Sequence, residues 1–189
     1  MLQRYGLSRK ELALCCAAAL PVAAYAWTLV PPLAAVAAGY MGFTVLTIAL
    51  VDQRKFIIPD VLSLPAIPLG LAATYLTFPE DWRAALQDHL AAAAVAAGAL
   101  FLVRLAYRNM RGIEGLGLGD VKLAAAAGAW LGLEPLPVTL LVATGAALCA
   151  VLLQGLRPRQ KLTAQTPVPF GSFLAPSILI VWFARQILA

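Results

Sequence analysis

The sequence predicts an all-α polytopic membrane protein of about seven transmembrane helices, one of them short, folded as a single domain over 1–189. Three observations carry that expectation. The chain is 62% hydrophobic, whereas soluble domains have roughly 45–50% apolar residues. Its apolar residues fall in runs of about 20, enough to cross a hydrocarbon core, parted by short polar loops. Its basic residues gather in alternate loops.

The runs follow in order. Residues 1–10 form a basic start with Arg4, Arg9 and Lys10. A first span over 11–30 is broken by Pro31-Pro32, and a second over 33–51 ends in Asp52-Gln53-Arg54-Lys55. The first run lacks a clear small-residue cleavage site, so it reads as a retained span. The short apolar linker 56–59 leads to Asp60, expected to cap a third span over 61–78. Pro65 and Pro68 are expected to bend that helix or loosen its first turns. A polar loop, 79–88, precedes an Ala-rich fourth span over 90–107, where Ala93, Ala97 and Gly98 are expected to admit a close neighbour. Asp88 and His89 read as interface residues. After the loop 108–120 comes the short run 121–133, then Glu134-Pro135, a full span over 136–156, a basic loop over 157–166, and a last span over 168–188 that opens with Pro169-Phe170-Gly171.

The run 121–133 reaches only about 20 Å as a helix, against a hydrocarbon core near 30 Å. Charge nevertheless favours a crossing. If every run crosses, one side collects Arg4, Arg9, Lys10, Arg54, Lys55, Arg104, Arg108, Arg111, Lys122, Arg157, Arg159 and Lys161, and the other only Arg83 and Arg185. That distribution places the N-terminus in the cytoplasm, and a short crossing thins the bilayer locally.

Composition also excludes functions. The formal charge of +5 comes from short loops between apolar runs, so no nucleic-acid partner is expected. Cys15, Cys16 and Cys149 lie inside apolar runs without metal-ligand or redox spacing. A single His and no His/Cys/Glu cluster argue against a metal site. Serines 8, 63, 172 and 177 have no basic partner nearby in sequence.

What remains is two acids. Asp120 follows Gly115-Leu-Gly-Leu-Gly119, a turn whose missing side chains let another backbone come close, and precedes the short helix. Asp52 ends the second span. In a lipid-soluble chain such carboxylates are functional candidates. Both fall at the same depth on the cytoplasmic side. Two adjacent carboxylates share one proton. The ionised one takes a proton from water, while the protonated one polarises a peptide carbonyl. Taken alone, Asp120 reads as a helix cap and Asp52 as an interface charge. Two other functions fit the same residues: a small proton- or cation-coupled transporter with Asp52 and Asp120 as ion ligands, and an inactive membrane scaffold.

Three motifs resemble the type IV prepilin peptidases, membrane aspartic proteases of the GxGD class. They are Asp52-Gln-Arg-Lys-Phe-Ile-Ile-Pro-Asp60, Gly117-Leu-Gly-Asp-Val-Lys-Leu123 running on to Gly128-Ala-Trp-Leu-Gly132, and Val168-Pro-Phe-Gly-Ser-Phe-Leu174. The resemblance covers the chain from about residue 40 onward, in the family order. It implies catalytic Asp52 and Asp120, a bacterial inner-membrane location, and prepilin or pseudopilin substrates whose short basic leaders are cut at the cytoplasmic face. Gly117, Gly119, Lys122, Phe170 and Gly171 are expected near the substrate, Lys122 to pair with an acidic residue of the mature pilin. Many members carry a cysteine-containing cytoplasmic domain between the first two spans and methylate the new N-terminus. Here only Pro31-Pro32 separates those spans, so a compact peptidase is expected. It would need no cofactor for cleavage, and S-adenosylmethionine only if methylation is retained.

Overall fold

The computed structural model describes residues 5–112, 115–155 and 167–188. Arg4, Arg157, Arg159 and Lys161, which entered the charge argument, lie outside the described residues. The described residues form seven α-helices: α1 (Arg9–Ala26), α2 (Pro32–Lys55), α3 (Asp60–Thr77), α4 (Trp82–Arg111), α5 (Leu118–Leu131), α6 (Leu136–Gly155) and α7 (Gly171–Leu188). Five of them, α2, α3, α4, α6 and α7, are long and apolar enough to cross a membrane. The first turn of α1 carries Arg9, Lys10 and Glu11, and α5 has only 14 residues. The chain is a polytopic helical membrane protein, as its composition predicts.

Local chemistry sets the helix ends. Ser8 and Glu11 close a capping box on α1, with Glu11 N donating to Ser8 Oγ (3.2 Å) and Ser8 N to Glu11 Oε2 (2.8 Å). Pro32 opens α2, where its missing N–H costs nothing. Helix α4 stops at Gly112, whose φ of +70° is a left-handed cap. Helix α3 starts one residue earlier than expected. Asp60 is its first residue and makes no side-chain cap, and the helix is continuous through Pro65 and Pro68.

The chain reverses at each connection, and side-chain contacts pin both ends of the bundle. At one end Glu11 of α1 pairs with Arg54 of α2, and Arg104 of α4 donates to Leu116 O beside α5. At the other end Asp88 Oδ2 of α4 accepts from Leu133 N (3.1 Å), and Arg185 of α7 donates to Leu131 O. Short α5 therefore runs from one set of contacts to the other. It is the central helix, packed on α3, α4 and α7.

Small residues make that centre possible. A Cβ on Gly128 would stand 2.3 Å from the backbone of Ala92 and Ala93, so α4 and α5 touch backbone to backbone. The close approach expected at Ala93 is thus real, and Ala92 shares it. Gly98 faces open space. Trp130 fills the gap on the other side, donating its indole N–H to Ala66 O of α3 (2.8 Å) and packing edge-on against Trp182 of α7.

His89 departs from its expected interface position. It is only 3% exposed, with Nδ1 at 2.9 Å from Thr74 Oγ1 and 3.0 Å from Ala129 O. Together with Arg185 it meets carbonyls in the last turn of α5, which in so short a helix would otherwise end unpaired inside the bundle.

Candidate active site

The site lies where α2 ends and α3, α5 and α7 begin. Asp52 sits in the last turn of α2 and is 5% exposed. Its Oδ2 accepts from Ser172 N at 2.8 Å and from Ser172 Oγ at 3.3 Å. The Gly171 amide also bears on this carboxylate. The start of α7 therefore turns the Ser172 N–H, shared with Pro169 O (3.1 Å), and the Ser172 hydroxyl toward Asp52, and a carboxylate is favoured at a helix N-terminus.

Asp120 is the third residue of α5. The helix starts at Leu118, three residues earlier than the expected boundary, because Gly117 is its N-cap. Asp120 Oδ2 turns back to accept from Gly117 N at 3.2 Å. Its other oxygen, Oδ1, is buried with no hydrogen-bond partner.

The two acids, 68 residues apart by number (120 − 52), line one cleft of about 210 Å³. They lie close enough for the charge of Asp52 to act on Asp120. The cleft's other walls are Phe56, Ile57, Ile58, Asp60, Gly117, Leu118 and Gly119.

The glycines have distinct reasons. A Cβ on Gly115 would strike the Tyr107 ring at 2.4 Å, and one on Gly119 would meet Ile58 at 2.8 Å. A Cβ on Gly171 would meet Ile58 Cδ1 at 2.6 Å and Asp52 Oδ2 at 3.0 Å. Around this turn it is side chains that approach, where the sequence suggested a backbone. Ile58 is the wedge, lodged between the start of α5 and the start of α7.

Among the residues expected near substrate, Gly117 and Gly119 line the cleft and Gly171 touches Asp52. Lys122 is already engaged, its Nζ 2.7 Å from Asp60 Oδ1. Phe170 packs on the apolar core and does not line the cleft. Ser172 and Ile58 were missed. Ser172 drew attention only as a nucleophile without a base, although its place at the start of a helix, where a carboxylate is favoured, offered the relevant signal. Among the described residues, no three His, Cys, Asp or Glu side chains gather to hold a metal ion.

Comparison with known proteins now bears on this geometry. The profile of the type IV leader peptidase family matches residues 39–153. Over 147 residues the chain is 37% identical to a prepilin leader peptidase/N-methyltransferase of Burkholderia pseudomallei, covering 77% of this chain and 45% of that protein. A protein of the same name from Pseudomonas aeruginosa is 36% identical, with 72% and 46% covered. The leader peptidase HopD of Escherichia coli is 35% identical over 130 residues, 69% of this chain and 81% of HopD. The chain spans about half the length of the first two relatives. No solved structure matches it. This chain belongs to the type IV leader peptidase family.

Proposed function

We propose that this family member is a membrane aspartic endopeptidase that removes the short basic leader from prepilins or pseudopilins. The observation that carries the reading is the meeting of Asp52 and Asp120 in one cleft, with a buried Asp120 oxygen left unpaired. The names of two relatives, prepilin leader peptidase/N-methyltransferases, supply the substrate class.

In the proposed reaction the pair holds one proton between its carboxyls and titrates as a unit. Water enters between the acids. The ionised carboxyl takes a proton from it as the oxygen bonds to the scissile carbonyl carbon, and the protonated carboxyl gives its proton to the carbonyl oxygen. The tetrahedral intermediate then collapses. The C–N bond breaks, the amine leaves protonated, and the pair regains its single proton. Only protein and water take part. Ser172 and Gly171 orient Asp52, and the Gly117 amide orients Asp120.

The site end of the bundle carries Arg9, Lys10, Arg54, Lys55, Arg108, Arg111 and Lys122, while the far end has Arg83 and Arg185. That bias supports a cytoplasmic site and N-terminus in the bacterial inner membrane. Hydrolysis needs no cofactor in this reading. S-adenosylmethionine enters only if the chain also methylates the new N-terminus, which the mass of the mature pilin decides.

The direct test is incubation of purified protein in detergent with a prepilin, following the mobility shift on leader loss. Wild type shifts the substrate with or without chelator, and Asp52→Asn or Asp120→Asn abolishes the shift. Full cleavage by Asp120→Asn would end the aspartic reading.

A further inference from the structure

Phe56 stands out in this site. It follows α2 with φ +54° and ψ +38°, the only left-handed non-glycine residue among those described. Its N–H donates to Asp52 O at 2.9 Å, so it ends the helix that carries Asp52. Glycine is the ordinary occupant of such a position, because a Cβ is crowded there and a bulky side chain makes the residue an outlier. Core packing does not explain the phenyl ring, since Phe56 is 50% exposed. Strain of this kind persists where a side chain is needed for something other than stability.

The ring's location says what that need is. Phe56 lines the cleft of the two acids, and it also lines a second cavity of about 390 Å³ with Val151, Val168 and Phe173. It stands where one opens beside the other. Ile57 and Leu118, at the cleft's rim, are also about half exposed. Lipid covers apolar side chains elsewhere on the bundle, but these three line the cleft that holds the two carboxyls, where a peptide with an apolar segment next to its scissile bond gains from them. The resemblance to the prepilin peptidases implies such a substrate, with a short basic leader cut just before an apolar stem.

On the leader-peptidase reading, we propose that Phe56 is a specificity-determining residue whose ring contacts the apolar segment of the substrate just beyond the scissile bond. The strained backbone holds the ring at the rim, and Asp52 one helical turn away fixes its distance from the chemistry.

Phe56→Gly separates this role from a structural one. Glycine relieves the strained backbone, so the melting temperature in detergent stays level or rises. Loss of the ring raises KM for a prepilin about tenfold, as expected for one aromatic contact, and kcat falls by less than KM rises. Phe56→Tyr keeps the ring and restores KM. An unchanged KM in Phe56→Gly would overturn the proposal. So would a lowered melting temperature with kcat falling as far as KM rises, because the ring would then be packing. Wild type that cuts no prepilin would remove the parent reading itself, a result distinct from either.

Discussion

At the scale of single residues, the site rests on contacts between groups far apart in sequence. Ser172 N reaches Asp52 Oδ2 across 120 positions, and Lys122 reaches Asp60 across 62. Such partners are invisible to any local pattern. The acids themselves were legible, because a carboxylate ending or starting an apolar run is costly and stands out. The roles of their neighbours were not. Lys122 read as a partner for an acidic residue of the pilin and Asp60 as a cap, whereas the structure pairs the two with each other. Gly171 shows how tightly the acids are placed. Gly171→Ala brings a methyl to 2.6 Å from Ile58 Cδ1 and 3.0 Å from Asp52 Oδ2, pushing the first turn of α7 off the carboxylate. The cleavage rate is expected to fall by about 10²-fold, the cost of a displacement near 1 Å, while the protein still purifies as a folded monodisperse species. A wild-type rate would show that the α7 amides do not position Asp52.

Among the elements, α5 decides the most. Its apolar run was legible as a short helix, although its start lies three residues earlier because a glycine can serve as N-cap. Its partners could not be read, since an Ala-rich run carries almost no directional pattern. Gly98 looked equivalent to its neighbours, yet Ala92 and Ala93 receive α5. Where α4 and α5 touch, Gly128 leaves no space. Gly128→Ala must part the two backbones, and overpacking of this kind costs about 1–3 kcal/mol. A drop in the melting temperature measured in detergent is expected, whereas Gly98→Ala, facing open space, leaves it unchanged. Equal behaviour of the two variants would contradict the packing. The far end of α5 is held as firmly, by His89 at Ala129 O and Arg185 at Leu131 O. Those two side chains satisfy a helix end that a full-length span would have carried to the bilayer surface.

At the scale of the molecule, hydropathy and charge sufficed to anticipate the seven helices of the described residues and their alternating direction, because lipid leaves the backbone few options. They also anticipated that the start of α5 and the end of α2 share one end of the bundle. The proposed orientation, with the positively charged end in the cytoplasm, has a direct check. In a background with Cys15, Cys16 and Cys149 replaced by Ala, single cysteines are placed at Asp81 and Met110, before and at the end of α4. A membrane-impermeant maleimide on intact spheroplasts should label position 81 and spare position 110. The reverse pattern would put the acids outside the cytoplasm, away from any leader still attached to a new pilin.

The central claim is that Asp52 and Asp120 act as one catalytic unit. It is tested most directly by the single-turnover rate of prepilin cleavage for wild type, Asp52→Asn, Asp120→Asn and the double variant. Each single change should lower the rate by about 10³-fold or more, and the double variant should be no slower than either, because half of a pair that works as a unit does nothing alone. A single variant that keeps the wild-type rate, or effects that multiply in the double variant, would contradict it.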